Sequence, residues 1–260
     1  MKYVQVNING GIYMLEDWDA YITSYEEQRV TIKLNLDAIN EAPVEGFKYL
    51  VKTRMEGKPT FFNKKKSPDM KLLFQIEDDI LDNIPNQNVH IVGILTGQYI
   101  RDFYFYTSHK ENLTKELENI LLKYKAIQFK TVSEVDVNWD FYKKTLYPDE
   151  YGLRCITDRR VMEELRQNGD TLTEARETSH WIYFKDPINR KVFSDKVEQK
   201  GFAIEKIEDS HDEEEFPYKL VICRVHKVDW GSVYNITSYL MTLAKEHEGK
   251  YDGWQTYVVK

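Results

Sequence analysis

Apolar residues recur at intervals of three and four along several stretches of this chain, the spacing that gives a helix one buried face. The pattern predicts three helices with well-defined apolar stripes. The stripes are Leu73, Ile76 and Ile80, then Leu113, Leu117, Ile120 and Leu121, and then Val233, Ile236, Leu240 and Leu243.

Residues that cap helices mark where these and two further helices begin and end. We expect Gly249 to supply the left-handed residue that ends the last helix, and a short helix to open at Val161 and stop at Gly169. The predicted start signals are the cap and proline at Ser67-Pro68, a capping box from Ser108 to Glu111, the pair Asp186-Pro187 and the cap Asp229.

Runs rich in β-branched and aromatic residues lie between the helices and predict strands. Each half reads strand, helix, strand, strand, helix, strand, an order that suits a four-stranded antiparallel sheet. The predicted fold class is therefore α+β, with two ferredoxin-like (βαββαβ) domains whose antiparallel sheets carry both helices on one face. The predicted strands are 47–55, 88–95, 100–107 and 127–135 in the first half, preceded by 2–8 and 29–36, and 180–184, 202–208, 218–225 and 251–259 in the second.

The predicted domains are 1–148 and 151–260. The stretch 139–152 separates them, and its aromatic residues favour a packed connection over a free linker. A chain of 260 residues with 42% hydrophobic content is long and apolar enough for each half to bury its own core.

The net charge of −7 is spread over both halves. Residues 151–260 contain 17 Lys and Arg against 20 Asp and Glu, which leaves −4 for the first 150 residues. Neither half has the basic surplus typical of proteins that bind nucleic-acid phosphates. The start of the chain lacks the apolar region of a secretory signal, and no 18-residue apolar run is present, so we expect a cytoplasmic protein.

The sequence proposes no catalytic, cofactor or metal site. It has no nucleophile elbow, no phosphate-binding glycine loop and no His-x-x-x-His pair, and its six histidines are scattered. Ser179 and His180 are adjacent on a predicted strand and point to opposite sides, so they do not form a nucleophile and base. Cys155 and Cys223 are too few for a disulfide framework or a zinc site. These motifs therefore propose no enzyme activity.

Two charged runs have a functional and a plain interpretation. The acidic run 211–215 is either a weak cation site or docking patch, or a solvated hairpin loop, and the basic run 64–66 is either a nucleic-acid contact or a loop. We favour the loop in both cases, because runs of like charge usually repel one another and remain solvated.

Several residues near the C-terminus are candidates for a protein interaction. Gly253 marks a predicted β-bulge that would turn one of its aromatic neighbours, Tyr251 or Trp254, outward beside Asp252. In the strand that begins at His180, Trp181 is expected in the core because a tryptophan buries a large area. That choice places His180 and Arg176 on the exposed sheet face or its edge, although structural support is the simpler role for each.

The segment Tyr251-Asp252-Gly253-Trp254 resembles the C-terminal signature of the bacterial regulator of ribonuclease E activity B family. The resemblance covers roughly the last hundred residues. It departs from the family in two ways, because Gln255 stands where better-known members have Gly, and the acidic tail that some members carry does not follow Lys260 in this sequence. Upstream elements in the same order are Asn168-Gly169-Asp170, Arg176, His180-Trp181-Ile182-Tyr183-Phe184, Gly201-Phe202 and Tyr218-Lys219-Leu220-Val221-Ile222.

The first half resembles the bacterial domain of unknown function 695 through Trp139-Asp140-Phe141-Tyr142 and Leu146-Tyr147-Pro148. No activity is established for that family, so this resemblance supplies a domain boundary and no function.

The resemblance of the last hundred residues implies a non-catalytic regulatory or adaptor protein that binds another protein, a ribonuclease, without a cofactor. An acidic protein suits a partner with basic segments, because complementary charge speeds encounter. One alternative is direct RNA binding on the open sheet face, and a second is an uncharacterised enzyme activity in the first domain.

Overall fold

The computed structural model describes residues 16–58, 69–84, 88–209 and 215–260 and divides the chain into two compact units, Met1–Gly152 and Leu153–Lys260. Several predicted features lie outside the described residues. They are the strand 2–8, the helix start at Ser67-Pro68, the lysine run 64–66 and all of the acidic run except Glu215.

The first unit contains one six-stranded sheet in the order β1-β2-β4-β5-β3-β6, with antiparallel pairing throughout. The strands that follow β2 appear with the predicted alternation of strands and helices, and β1 is an additional strand that the pattern missed. Its elements are β1 (Trp18–Tyr25), β2 (Gln28–Asn35), a 3-10 turn (Asp37–Asn40), β3 (Tyr49–Gly57), α1 (Met70–Asn83), β4 (Val89–Thr96), β5 (Ile100–Thr107), α2 (Lys110–Leu121), β6 (Ile127–Val135) and a π-helical turn (Tyr142–Leu146).

Both helices of the first unit pack on one face of this sheet. The predicted stripes of α1 and α2 are buried against alternate residues of the strands, among them Val51, Met55, Phe103 and Phe105. Asp69 caps α1 by accepting a hydrogen bond from the Lys71 amide at 3.0 Å, so the helix begins two residues after the predicted start.

The predicted capping box at Ser108 is wrong. His109 occupies the cap position of α2 without a side-chain cap bond, and the Ser108 hydroxyl instead pairs with the His109 ring at 2.7 Å.

The opposite face of the first sheet is covered by the aromatic stretch that follows β6. Trp139 is fully buried, stacks on Tyr106 with ring centroids 4.0 Å apart, and donates from its indole nitrogen to the Phe47 carbonyl at 2.8 Å. The Tyr142 hydroxyl donates to the Asn35 carbonyl at 2.7 Å. This stretch is thus part of the core, as its aromatic content predicts.

Arg101 and Asp102 are neighbours on β5, carry opposite charges and point to opposite faces of the sheet. Arg101 pairs with buried Glu77 of α1, whereas Asp102 accepts two hydrogen bonds from Arg54 at 2.8 and 2.9 Å and lies 3.0 Å from the Lys52 ammonium. Each buried charge therefore has an opposite charge on its own side of the sheet, which offsets its cost of desolvation.

The second unit has a four-stranded antiparallel sheet in the order β10-β7-β9-β8. Its helices bury Ile182, Phe184, Leu220 and Ile222, which all lie on one face of the sheet. The remaining elements of the chain are α3 (Glu150–Gln167), β7 (Ala175–Phe184), α4 (Pro187–Glu198), β8 (Ala203–Asp209), β9 (Tyr218–Lys227), α5 (Trp230–Glu246) and β10 (Gly249–Gln255).

The helix predicted near Val161 is longer than expected and begins at Glu150, so it spans the division between the units. Its residues Met162 and Leu165 join a small core with Val228, Val233 and Trp254. The predicted caps Asp186 and Asp229 are confirmed, each accepting backbone amide hydrogen bonds of 2.8 to 3.0 Å.

We predict that residues 149–260 fold without the first unit, because they contain all of α3 and both cores of the second unit. Thermal unfolding followed by circular dichroism should show one cooperative transition. A shorter fragment, 168–260, lacks Met162 and Leu165 and should lose about 3 kcal/mol or more of unfolding free energy. A fragment 149–260 without a cooperative transition would show that the second unit needs the first.

Candidate functional site

Strand β7 decides the placement of the predicted site residues. Its even-numbered residues Arg176 and His180 face the helices and are 2% and 1% exposed, whereas Trp181 lies half-buried on the other face. The expectation that Trp181 belongs to the core and that His180 and Arg176 lie on the exposed face is therefore wrong. Both faces of the His180-Trp181-Ile182-Tyr183-Phe184 run are apolar enough to be buried, so alternation alone did not select the inner one.

Arg176 forms a buried ion pair with Asp170 in the loop that follows α3. The pair is bidentate, with one guanidinium nitrogen 2.9 Å from the carboxylate, and the second nitrogen also donates to the Tyr257 carbonyl at 3.0 Å. The Val259 amide donates to Asp170 at 2.8 Å. Hydrogen bonds from Arg176 hold the pKa of Asp170 well below its usual range. Arg176 therefore tethers the C-terminal residues to β7.

The side chain of His180 contacts the neighbouring strand β10 through one hydrogen bond. Its Nδ1 atom lies 2.9 Å from the Tyr251 hydroxyl, and its ring stacks on His226 at a centroid distance of 5.7 Å. Burial, together with the nearby positive groups, lowers the pKa of His180 to about 3, and burial also raises the pKa of Tyr251 well above its usual value. Both side chains are therefore uncharged at neutral pH.

The predicted bulge in β10 is confirmed, but it turns neither aromatic outward. The register against β7 shifts between Tyr251 and Gly253, so Asp252 is the extra residue. Without an extra residue, Tyr251 and Trp254 would point to opposite faces, because they are three positions apart. The bulge instead places both on the helix face, where they are 9% and 7% exposed.

Arg154 and Asp158, one turn apart on α3, hold the bulged strand. Asp158 accepts hydrogen bonds from the Trp254 indole and the Thr237 hydroxyl, both at 2.8 Å, and lies 2.7 Å from the Arg154 guanidinium. Arg154 also donates to the Asp252 carbonyl at 3.0 Å. Burial raises the pKa of Asp158, although Arg154 and both donors favour its charged form. The short helix that the sequence predicts opens at Val161, after both residues, so neither was predicted to belong to the site.

Asp252 is the only one of the five predicted interaction residues whose side chain is exposed. Its neighbour Gly253 is confined, because a Cβ there would lie 3.2 Å from the Arg154 guanidinium.

Gly249 does not end the helix as expected, since Glu248 takes the left-handed conformation. Gly249 is instead the first residue of β10, and a Cβ there would meet the Phe184 ring at 2.6 Å. Its small size allows β10 to approach β7.

The face of the second sheet opposite the helices has an apolar centre and a charged rim. Trp181 lies opposite Val221, which is buried, and Val225 further along β9 is 64% exposed. The surrounding positions on this open face, set by the strand register, are Glu177, Lys206, Glu208, Lys219, Lys227 and Lys250.

Within the described ranges, no group of three His, Cys, Asp or Glu side chains is arranged to hold a metal ion. Four of the five predicted residues are instead committed to contacts inside the second unit. No described helix is long and apolar enough to cross a membrane. Unlike those four residues, Trp181 lies half-buried on the open face, although its sequence pattern predicted a place in the core.

Comparisons with known proteins divide the chain in the same order as its two units. The family described as Regulator of ribonuclease activity B matches residues 156–256, and the Family of unknown function (DUF695) matches residues 16–147. No curated protein matches the chain. A crystal structure of an unknown protein from Galdieria sulphuraria is 10% identical over 79% of this chain and 96% of that chain, with a TM-score of 0.21 that supports no argument about the fold.

We predict that His180 makes the protein less stable in mild acid. Its folded-state pKa is depressed to about 3, while an unfolded histidine has a pKa of about 6.5. The unfolded state therefore binds the additional proton between these values, and stability falls as the pH drops below 6.5. Urea unfolding at pH 7 and pH 5 should show a loss of about 2 kcal/mol from this residue.

The variant His180→Gln has no ionisable ring and measures that contribution by difference. Its unfolding free energy should change less than that of the unaltered protein between the two pH values. Equal pH dependence in the two proteins would show that His180 is not the group responsible.

Proposed function

The chain belongs to the family of unknown function (DUF695), whose model matches residues 16–147, and from the match of its second unit to another family we propose that it is a cytoplasmic, non-catalytic adaptor. Its second unit binds another protein, a ribonuclease, and thereby modulates RNA processing. The support is the family whose description names regulation of ribonuclease activity and whose match spans almost all of the second unit.

We infer that both units are ferredoxin-like. In the first unit, the elements from β3 to β6 follow the order strand, helix, strand, strand, helix, strand, and their strands lie in the order β6-β3-β5-β4. In the second unit, the elements from β7 to β10 follow the same order, and their strands lie in the equivalent order β10-β7-β9-β8. In the second unit this arrangement collects the helices on one face of the sheet and leaves the other face for a partner.

The observation that carries the proposal is the composition of the open face. Half-buried Trp181 and exposed Val225 are its accessible apolar residues, and residues of both charges lie around them, which is the arrangement of a protein interface with an apolar core and a polar rim. Tryptophan is also enriched among the residues that dominate binding energy. A ribonuclease segment with apolar anchors and flanks of both charges fits this face, whose rim carries four lysines and two glutamates.

The internal contacts of the conspicuous polar residues support a non-catalytic role. Arg176 is paired with Asp170, and Asp158 is saturated by Arg154, Thr237 and Trp254. These groups stabilise the scaffold, and a buried side chain whose hydrogen bonds are all made inside the fold is poorly placed to meet a substrate.

A pair of matched variants tests whether the open face binds the ribonuclease. Val225→Glu alters an exposed residue of the open face, whereas Ile188→Glu makes a similar change on α4, where the side chain is 74% exposed. We expect Val225→Glu to weaken ribonuclease binding about tenfold or more, because it buries a charge against the partner. Ile188→Glu should bind normally.

Both variants replace exposed residues, so their melting temperatures should remain close to that of the unaltered protein. Binding is measured by calorimetry and inhibition by cleavage of a structured RNA. Equal binding by both variants would place the interface away from the open face.

Asp252→Asn tests the exposed residue at the bulge. Asparagine retains the Asp252 carbonyl that accepts from Arg154, so we expect the fold to survive. If the carboxylate meets a basic partner, binding should weaken about threefold to tenfold, and the loss should diminish at high salt. Unchanged binding at every salt concentration would exclude Asp252 from the interface.

RNA binding by the same face is the second candidate function. The half-buried side chains of Trp181 and Tyr183 both lie on it, and aromatic residues on the open face of such sheets stack on unpaired bases. The net negative charge opposes this role, since little counterion release is available to drive binding. We therefore expect no appreciable binding of single-stranded RNA at physiological salt. Salt-sensitive submicromolar binding that Trp181→Ala abolishes would establish the alternative.

A further inference from the structure

Strand β6 ends the six-stranded sheet of the first unit among the residues that the structure describes. It pairs with β3 on one side over nine consecutive residue pairs, from Ile127 to Val135, without a register shift. Its other side presents the backbone groups of a regular strand that has neither proline nor bulge. Such an edge is a template for another strand, and proteins usually interrupt it when pairing is harmful.

Several side chains along this edge are exposed in the part of the chain that the structure describes. Val132 and Val135 are 46% and 62% exposed, and Lys130, Ser133 and Glu134 are exposed as well. Two large aliphatic residues on an open edge favour association, whereas Lys130 is the kind of charge that discourages it. A partner that supplies an opposite charge at Lys130 would remove this obstacle.

The sequence of β6 is complementary to itself when it is read in the opposite direction. In an antiparallel pair of two copies centred on Val132, each Lys130 faces Glu134 of the other copy. The same register places Phe129 opposite Val135, Thr131 opposite Ser133 and Val132 opposite Val132. Charge is thus matched with opposite charge, apolar with apolar and hydroxyl with hydroxyl at every pair from 129 to 135.

We propose that β6 is the interface of a symmetric homodimer, in which two copies join their sheets through antiparallel β6 strands centred on Val132. The symmetry operation is a two-fold axis through that residue, so the interface closes and does not propagate into a fibre.

The charges within one chain favour this arrangement. Across β3, Lys130 lies opposite Arg54 and Glu134 lies opposite Leu50, so neither faces an opposite charge on the neighbouring strand. Dimerisation places an opposite charge beside both Lys130 and Glu134, which gives two inter-chain pairs of Lys130 with Glu134. Charged pairs directly across two strands are stabilising, and like charges in the same position are destabilising.

One strand pair forms a small interface. Nine residues span roughly 30 Å, and their contact area falls below the ~1,600 Å² of a standard stable interface. We therefore expect a dimer that dissociates on dilution through the micromolar range. Sedimentation velocity of the full chain across that range should show the conversion of dimer to monomer.

Charge exchange tests the register. Lys130→Glu places glutamates opposite one another, and Glu134→Lys does the same with lysines, so each single change should raise the dissociation constant about tenfold. The double variant Lys130→Glu/Glu134→Lys restores both pairs and should recover the dimer. Lys130→Glu also removes a like charge from beside Arg54, so a loss of dimer is not a sign of unfolding.

Lys123→Glu is the matched control for net charge. Lys123 is exposed beyond the end of α2, outside β6, and its reversal should leave the dimer intact. A double variant that stays monomeric would overturn the proposal, as would dimerisation that is insensitive to both single changes.

A cysteine placed at the two-fold axis provides an independent readout. In the proposed register the Cα atoms of residue 132 are about 4.5 to 5.5 Å apart, within the range of a disulfide. Residue 128 lies roughly 27 Å from its own copy. On mild oxidation, Val132→Cys should form a covalent dimer far faster than Gln128→Cys. Equal rates, or sedimentation as a monomer throughout the micromolar range, would refute the β6 dimer.

Discussion

The buried carboxylate of Asp158 is the interaction on which the second unit depends most. It connects α3, which carries it, to Thr237 of α5 and Trp254 of β10. A carboxylate removed from water costs several kcal/mol unless it is paired and hydrogen-bonded. Arg154 and the two neutral donors meet that requirement, and they do so only when the helices and the strand are in register. The group therefore stabilises one arrangement of these elements and penalises the others.

The bulge at Asp252 follows from the same constraint. Trp254 reaches Asp158 only from the helix face, and Tyr251 reaches His180 only from that face as well. A regular strand has no means of placing both there, because residues three apart point in opposite directions. An extra residue resolves the conflict, and Arg154 accommodates it by donating to the Asp252 carbonyl.

The two sheets use their second faces in different ways. In the first unit, Trp139 and Tyr142 cover the face opposite the helices and close it as a second core. In the second unit the corresponding face carries Trp181 at its centre with charged residues around it. The same succession of strands and helices therefore supports a closed sheet in one half and a surface suited to a partner in the other, and the difference comes from the side chains.

The sequence by itself determined the elements, because their signals are local. Stripes of apolar residues revealed α1, α2 and α5, aspartate caps marked α4 and α5, and Gly253 indicated the bulge. Which face of a strand is buried was decided only by the tertiary structure. The run from His180 to Phe184 is suitable for burial on either face, and only packing against the helices selected His180 and left Trp181 on the other side. The roles of Asp158 and Asp170 were also beyond local patterns, because their hydrogen-bond partners include Trp254 and Val259, which are distant from them in sequence. Local patterns specify which segments form helices and strands, whereas long-range contacts decide which side chains of those segments meet.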